Sequence, residues 1–115
     1  MANEIKLSKG ETLLQEGQIS TKMYFLIEGT LEISKSSKEG KILLGHAHSG
    51  ELIGEISFLD EKPRTATVIA SSDCKLVEIP RDKFIAVLAK QPSWIRALIE
   101  TLNRRLRKTD SLVKI

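Results

Sequence analysis

Apolar residues follow two different rhythms along this chain, and the rhythm changes at Pro80. Before Pro80, short apolar segments are punctuated by glycine at Gly10, Gly17, Gly29, Gly40, Gly45, Gly50 and Gly54. The segments 12-TLLQE-16, 24-YFLIE-28, 30-TLEIS-34, 42-ILLGHAH-48, 65-TATVIA-70 and 75-KLVEI-79 have strand character. Several alternate with a period of two, as Leu31 and Ile33 do against Glu32 and Ser34. Repeated short strands with glycine turns predict a mainly β chain, an antiparallel sandwich or barrel over about residues 5–80. The polar stretch 35-KSSKEGK-41 predicts a solvent-exposed hairpin tip.

After Pro80 the spacing becomes helical. Asp82 falls in a first turn, and Phe84, Ile85, Val87 and Leu88 recur at helical intervals until 90-KQPS-93 interrupts them. A second helix is predicted from about Pro92, a good first-turn residue, nearly to the C-terminus. Within it Ile95, Ile99, Leu102, Leu106, Thr109 and Val113 alternate steps of four and three, the pattern of a heptad seam. At 1.5 Å per residue such a helix spans roughly 35 Å, more than a small barrel covers. Trp94, Leu98 and Leu102 are expected to pack in part on the chain's own barrel, and the distal seam predicts a homodimer contact. Residues from about 81 to 115 are thus expected to form a helical lid and dimer element on a single domain.

Composition narrows the class. With 115 residues, 41% hydrophobic and 29% charged, the chain has the make-up of one soluble globular domain. It holds no apolar run long enough to span a bilayer, and MANEIKLSKGE lacks a signal-peptide core. A single cysteine, Cys74, cannot form an internal disulfide, which favours a reduced, cytoplasmic setting. The net charge of +3 permits an anionic small molecule or a weak nucleic-acid contact and requires neither. On the terminal helix, Arg96, Arg104, Arg105, Arg107, Lys108 and Lys114 outnumber Glu100 and Asp110. Cations late in a helix complement its dipole, and no stacking aromatics accompany them.

The chemistry concentrates in 54-GEISFLDEKPRTATV-68. Gly54 lets backbone amides approach a ligand, and Glu55, Ile56, Ser57 and Phe58 can form a short helical turn whose free N–H groups point at an anion. Pro63 delivers the chain rigidly into Arg64, which opens a segment with the pattern of a half-buried strand. A guanidinium in that position requires a partner, and its planar fork suits a phosphate. Glu55 can accept from a sugar hydroxyl and also hold the arginine. The pair therefore asks for a ligand with a phosphate beside a hydroxyl, or else for each other as an internal ion pair.

Gly-Glu-apolar-small-apolar followed by Pro-Arg-Thr-Ala-Thr-Val resembles the phosphate-binding cassette of cyclic nucleotide-binding domains. The segments 24-YFLIEG-29, 39-EGK-41 and 79-IPRDKF-84 and the long terminal helix fit the same family in order, so the resemblance covers nearly the whole chain. It implies a β-barrel or jelly roll with C-terminal helices that binds a cyclic nucleotide as a regulatory ligand. By that resemblance Gly54 and the amides of Ile56 and Ser57 face the cyclic phosphate and sugar, Glu55 binds the ribose 2′-hydroxyl and Arg64 neutralises the phosphate. Thr65 would place a hydroxyl near the phosphate or a guanine edge, Ala66 would give close packing, and Ile33 and Leu44 would line the base pocket. The bacterial catabolite-activator branch carries a pattern seen here as 104-RRLRKT-109, which implies that Arg105 and Thr109 approach the sugar and base from the lid helix.

Ile53 stands where many members carry phenylalanine, and Ser57 replaces a common alanine or glycine. A hydroxyl at the Thr65 position occurs in cyclic GMP-preferring members and in bacterial cyclic AMP binders. The bacterial resemblance favours cyclic AMP, with cyclic GMP the alternative. In catabolite-activator relatives a helix-turn-helix domain follows the long helix; with Ile115 the last residue of the sequence, direct sequence-specific DNA contact is not expected.

Two other chemistries are weaker. His46 and His48 share one face of the expected strand, and their spacing from Gly40 echoes the first metal motif of cupins. Glu51 is too close behind His48 for that motif and no third histidine follows, so no metal is expected. Cys74 has no activating base on its own face and the serines lack a nucleophile-elbow context, so the expectation is a regulatory protein and not an enzyme. The expected arrangement is a stand-alone binding protein without a cofactor, signalling to a protein partner or its own dimer; a ligand-free interaction module and a cupin-like metalloenzyme are the rival classes.

Overall fold

The computed structural model describes residues 3–19, 22–54 and 62–113. Eight strands are arranged as β1 (Asn3–Leu7), β2 (Thr12–Leu14), β3 (Lys22–Glu28), β4 (Leu31–Ser37), β5 (Gly40–Ala47), β6 (Leu52–Ile53), β7 (Thr67–Ala70) and β8 (Cys74–Pro80). Two helices follow, α1 (Arg81–Leu88) and α2 (Ser93–Val113). The strands form two antiparallel four-stranded sheets, ordered β1-β8-β3-β6 and β2-β7-β4-β5. The chain crosses repeatedly between the sheets, which gives a jelly-roll arrangement capped by C-terminal helices.

Alternation decides which residues meet between the sheets. Leu26 of β3, Leu31 of β4 and Leu76 of β8 are fully buried, and Val68 and Ala70 of β7 point into the same core. Leu14, Tyr24, Ala47, Ile53 and Cys74 complete the cluster, against which Ile5, Leu7, Leu13 and Ile33 pack in part. Each of the six strand segments expected from the sequence contains an observed strand. The tip of 35-KSSKEGK-41 tightens to Lys38 and Glu39, because β4 runs to Ser37 and β5 starts at Gly40. Strands β1 and β6 were not signalled: 3-NEIKL-7 is mostly exposed, and β6 has only two residues.

Three expectations are corrected here. Arg64 does not open a strand; β7 begins at Thr67, and residues 62–66 are irregular. Arg64 N–H donates to Gln18 O at 2.8 Å and Arg64 O accepts from Gly17 N–H at 2.9 Å, so its backbone is satisfied by the turn after β2. Pro92 precedes α2, which begins at Ser93, and its carbonyl accepts from Ile95 N–H at 3.0 Å. On α2 the chain-facing row is Ile95, Ile99 and Asn103, while Trp94, Leu98, Leu102 and Leu106 stay exposed, Trp94 at 66%. Burial therefore follows two four-residue ridges in place of the mixed seam, and the expected packing of Trp94, Leu98 and Leu102 on the chain's own roll does not occur among the described residues.

Gly29, between β3 and β4, shows how tightly the sheets are joined. Its φ is +99°, and a Cβ there would run into Asp73 O and lie 2.6 Å from Cys74 Sγ. The obstacle is largely backbone and cannot rotate away. Gly29→Ala is expected to destabilise the fold by about 2–5 kcal/mol, the sum of left-handed strain and overpacking. A urea melt giving a midpoint within error of the wild type would reject this account.

Candidate functional site

Leu14, Ile33, Ala47, Glu51, Leu52, Ile53, Gly54, Arg64, Thr65, Ala66 and Val68 line one cavity at the edge of the roll. It encloses about 260 Å3, close to the lower end of small-molecule sites at about 300 Å3. Its walls come from both sheets. Strands β2, β4, β5, β6 and β7 supply the aliphatic side, and the irregular 64–66 segment supplies a cation and a hydroxyl.

Arg64 is the unusual member, a cationic side chain only 4% exposed. Its Nη1 donates to Gly54 O at 2.7 Å, and its Nη2 donates to Lys22 O. Both acceptors are backbone carbonyls, and the two bonds are charge-assisted. Gly54 is shaped by this contact. Its φ is +84°, and a Cβ would collide with Arg64 Nη1 and approach Leu14 Cδ1 at 3.3 Å.

Behind the guanidinium a second cleft is lined by Leu13, Leu14, Gln18, Ile19, Lys22, Tyr24 and Arg64. Burial raises the Tyr24 phenol above its ordinary pKa, and the Glu78 carboxylate raises it further. Lys22 Nζ lies 3.1 Å from Glu78 Oε1, and that hydrogen bond and charge raise the lysine's pKa.

The site brings together Gly54, Arg64, Thr65, Ala66 and Ile33 as the sequence predicted. Glu55, Ile56 and Ser57 lie outside the described residues. Leu44 is not among the lining residues. The β4–β5 ladder pairs Ile33 with Gly45 and Ser34 with Leu43, so Leu44 is the extra residue of a bulge and more than a third of it is exposed. Bulges have a weak sequence signature, so the position that the resemblance gave to Leu44 did not register this one. Arg105 lies exposed on α2 and is not among the lining residues. Thr109 falls on α2, but its side chain is outside the described residues. The sequence reading missed Leu14, Ala47, Glu51, Leu52, Ile53 and Val68 as lining; only the proximity of 51-ELI-53 to the cassette hinted at three of them.

His46 pairs with Glu32 across β4 and β5, whereas His48 lies beyond the end of β5. Among the described residues no group of three or more His, Cys, Asp or Glu is placed to hold a metal ion. No helix of the described residues is long and apolar enough to cross a membrane.

Comparison with known proteins bears directly on this cavity. The sequence profile of the cyclic nucleotide-binding domain matches residues 4–91. The chain belongs to the cyclic nucleotide-binding domain family. It is 28% identical over 108 residues, 93% of its length, to the CRP-like cAMP-activated global transcriptional regulator of Mycobacterium tuberculosis. It is 31% identical over 104 residues, 89% of its length, to the cAMP-activated global transcriptional regulator CRP of Haemophilus influenzae. The chain covers 48% and 46% of these two proteins, about half their length. Among solved structures, the N-terminal domain of a transcriptional regulator from Streptomyces coelicolor is 34% identical with a TM-score of 0.77, over 96% of this chain and 79% of that one. The Thermus thermophilus catabolite activator protein is 26% identical with a TM-score of 0.80, over 98% of this chain and 54% of that one.

Membership of this family makes the Gly54–Arg64 contact the local feature to perturb. Gly54→Ala should destabilise the fold by about 1–3 kcal/mol through left-handed strain. The added methyl should also displace the guanidinium, because the end of a flexible side chain yields before the backbone does. Nuclear magnetic resonance of the Arg64 side-chain N–H groups checks the displacement; unchanged shifts with unchanged stability would contradict it.

Proposed function

We propose that this domain binds cyclic AMP as a regulatory ligand and reports its presence through α1 and α2. The observation that carries the reading is a buried arginine in a cavity whose other lining residues are mostly aliphatic, with Glu51 and Thr65 the polar exceptions. Such a site suits a ligand with one compact anionic group and one flat apolar part. A cyclic nucleotide has both, with the phosphate toward Arg64 and the base toward Ile33, Val68 and their neighbours. The family resemblance gives the ribose 2′-hydroxyl to Glu55, the phosphate amides to Ile56 and Ser57, and lid contacts to Arg105 and Thr109. Relatives named as cAMP-activated, at 28–31% identity, favour adenine over guanine. The nucleotide is a ligand here and not a substrate, no cofactor takes part, and the setting is cytoplasmic.

Signalling would pass from the roll to the helices and on to a protein partner or a second copy. Leu98, Leu102 and Leu106 leave an apolar row on α2 about half exposed. A row of this kind is suited to its own symmetry mate, as a homodimer through α2.

One observation favours a second reading, a ligand-free interaction module. Arg64 already donates to two backbone carbonyls, which makes it a structural arginine as it stands. A thermal-shift panel of cyclic AMP, cyclic GMP and inorganic phosphate separates the two, since the module would respond to none. In the binding reading, Arg64→Ala should weaken cyclic AMP by roughly 2–5 kcal/mol, the scale of lost charge-assisted hydrogen bonds. Calorimetry with undiminished affinity would remove Arg64 from the site. For the dimer, sedimentation should give a two-chain species that Leu102→Glu converts to a monomer. A wild-type monomer at high concentration, with and without nucleotide, would reject the α2 contact.

A further inference from the structure

The second bond of the buried arginine leads away from the cavity. Arg64 Nη2 donates to the carbonyl of Lys22, the first residue of β3. Lys22 is paired in the ladder with Pro80, the last residue of β8 and the residue that caps the start of α1. That cap has no side-chain hydrogen bond, and α1 continues directly from the strand end that precedes it. The lysine side chain is itself anchored, with Nζ 3.1 Å from Glu78 Oε1, and the glutamate side chain is only 16% exposed. Glu78 sits opposite Tyr24 in the same ladder. Neither Lys22 nor Glu78 lines the candidate nucleotide cavity.

These contacts form one chain of bonds from Glu78 to Lys22, from the Lys22 carbonyl to Arg64, and from Arg64 to Gly54 O at the cavity wall. A guanidinium has a fixed planar fork, so turning it to present two N–H groups to an anion redirects those aimed at carbonyls. An anion that turns the fork toward the cavity would therefore draw away the donor that the Lys22 carbonyl holds. We propose that the Lys22–Glu78 pair is a positioning latch, which steadies the Lys22 carbonyl, holds Arg64 in its ligand-free setting and so couples phosphate occupancy to the start of α1. The latch rests on the reading of Arg64 as the phosphate-binding group. By linkage, whatever steadies the Lys22 carbonyl opposes the anion, and the anion loosens the Lys22–Pro80 strand end by the same free energy.

The test uses the full chain, with Glu78→Gln and Lys22→Met as independent ways to remove the ion pair. Calorimetry with cyclic AMP should show affinity raised about 5-fold in each variant, the low end of coupling between linked sites. The double variant should gain no more than either single one. Hydrogen exchange supplies a readout that a merely structural pair would not move in this direction. Amides at the start of α1, from Asp82 to Ile85, should exchange faster in the free variants and match the nucleotide-bound wild type. Unchanged or weakened affinity, with wild-type exchange at α1, would overturn the latch. The wild-type titration reads the ligand assignment separately. If the wild type binds no cyclic nucleotide, inorganic phosphate becomes the probe, and exchange at Lys22 and α1 that phosphate leaves unaltered would overturn the latch.

Discussion

A guanidinium buried at 4% exposure in a domain of 115 residues is the constraint around which this roll is arranged. Burying a charge is costly unless its hydrogen bonds are met, and breaking such a set leaves the cost in place. Among the partners are the carbonyls of Gly54 and Lys22, with the Arg64 backbone closed against Gly17 and Gln18. One residue thus ties the end of β6 and the start of β3 through its side chain and the turn after β2 through its backbone. Each of these carbonyl bonds is charge-assisted, and together they hold the guanidinium against the cavity wall.

Much of this was legible in the chain, and for identifiable reasons. Period-two alternation in 30-TLEIS-34 and 65-TATVIA-70 marks observed strands that place Leu31, Val68 and Ala70 in the core, though Ile33 is only partly buried and Ser34, set on the other face, is 2% exposed; the cassette spacing brought Gly54, Arg64, Thr65 and Ala66 to one cavity. What failed has physical causes as well. Strand β6 is too short for alternation to register, and β1 is mostly exposed. The strand pattern was extended three residues too far, to Arg64, whose backbone bonds go to a turn and not to a ladder. Leu44 was assigned to the base pocket by the family resemblance, but the bulge opposite Ile33 and Ser34 inserts it as an unpaired residue.

The long helix was read correctly as a helix and incorrectly in its facing. A heptad seam and a four-residue ridge share Leu102 and Leu106, so sequence spacing alone does not separate them. Burial does: Asn103 is 9% exposed while Leu102 beside it is about half exposed. The side chain of a polar residue thus faces the protein while four large apolar ones, counting Trp94, face outward. Asn103 Oδ1 has no hydrogen-bond partner among the described residues, which makes this face an imperfectly satisfied one. A helix with its polar member turned inward and its leucines outward leaves apolar area exposed, which the proposed association through the outward row would cover.

The short helix α1 connects these two circumstances. It has no buried residue, and only Arg81, Phe84 and Leu88 are even half-buried, so little apolar area fixes it to the roll. Elements with few buried contacts lie at the low end of local stability and shift for a small differential free energy. The roll, with Leu26, Leu31 and Leu76 fully enclosed, lies at the opposite end. A hydrogen bond exchanged at Arg64 is too small a change to reshape the core. It is large enough to bias a lightly held helix whose first residue follows Pro80, the ladder partner of Lys22. The division between a stiff sheet pair and a lightly packed α1 is therefore what the proposed coupling between Arg64 and the start of α1 relies on.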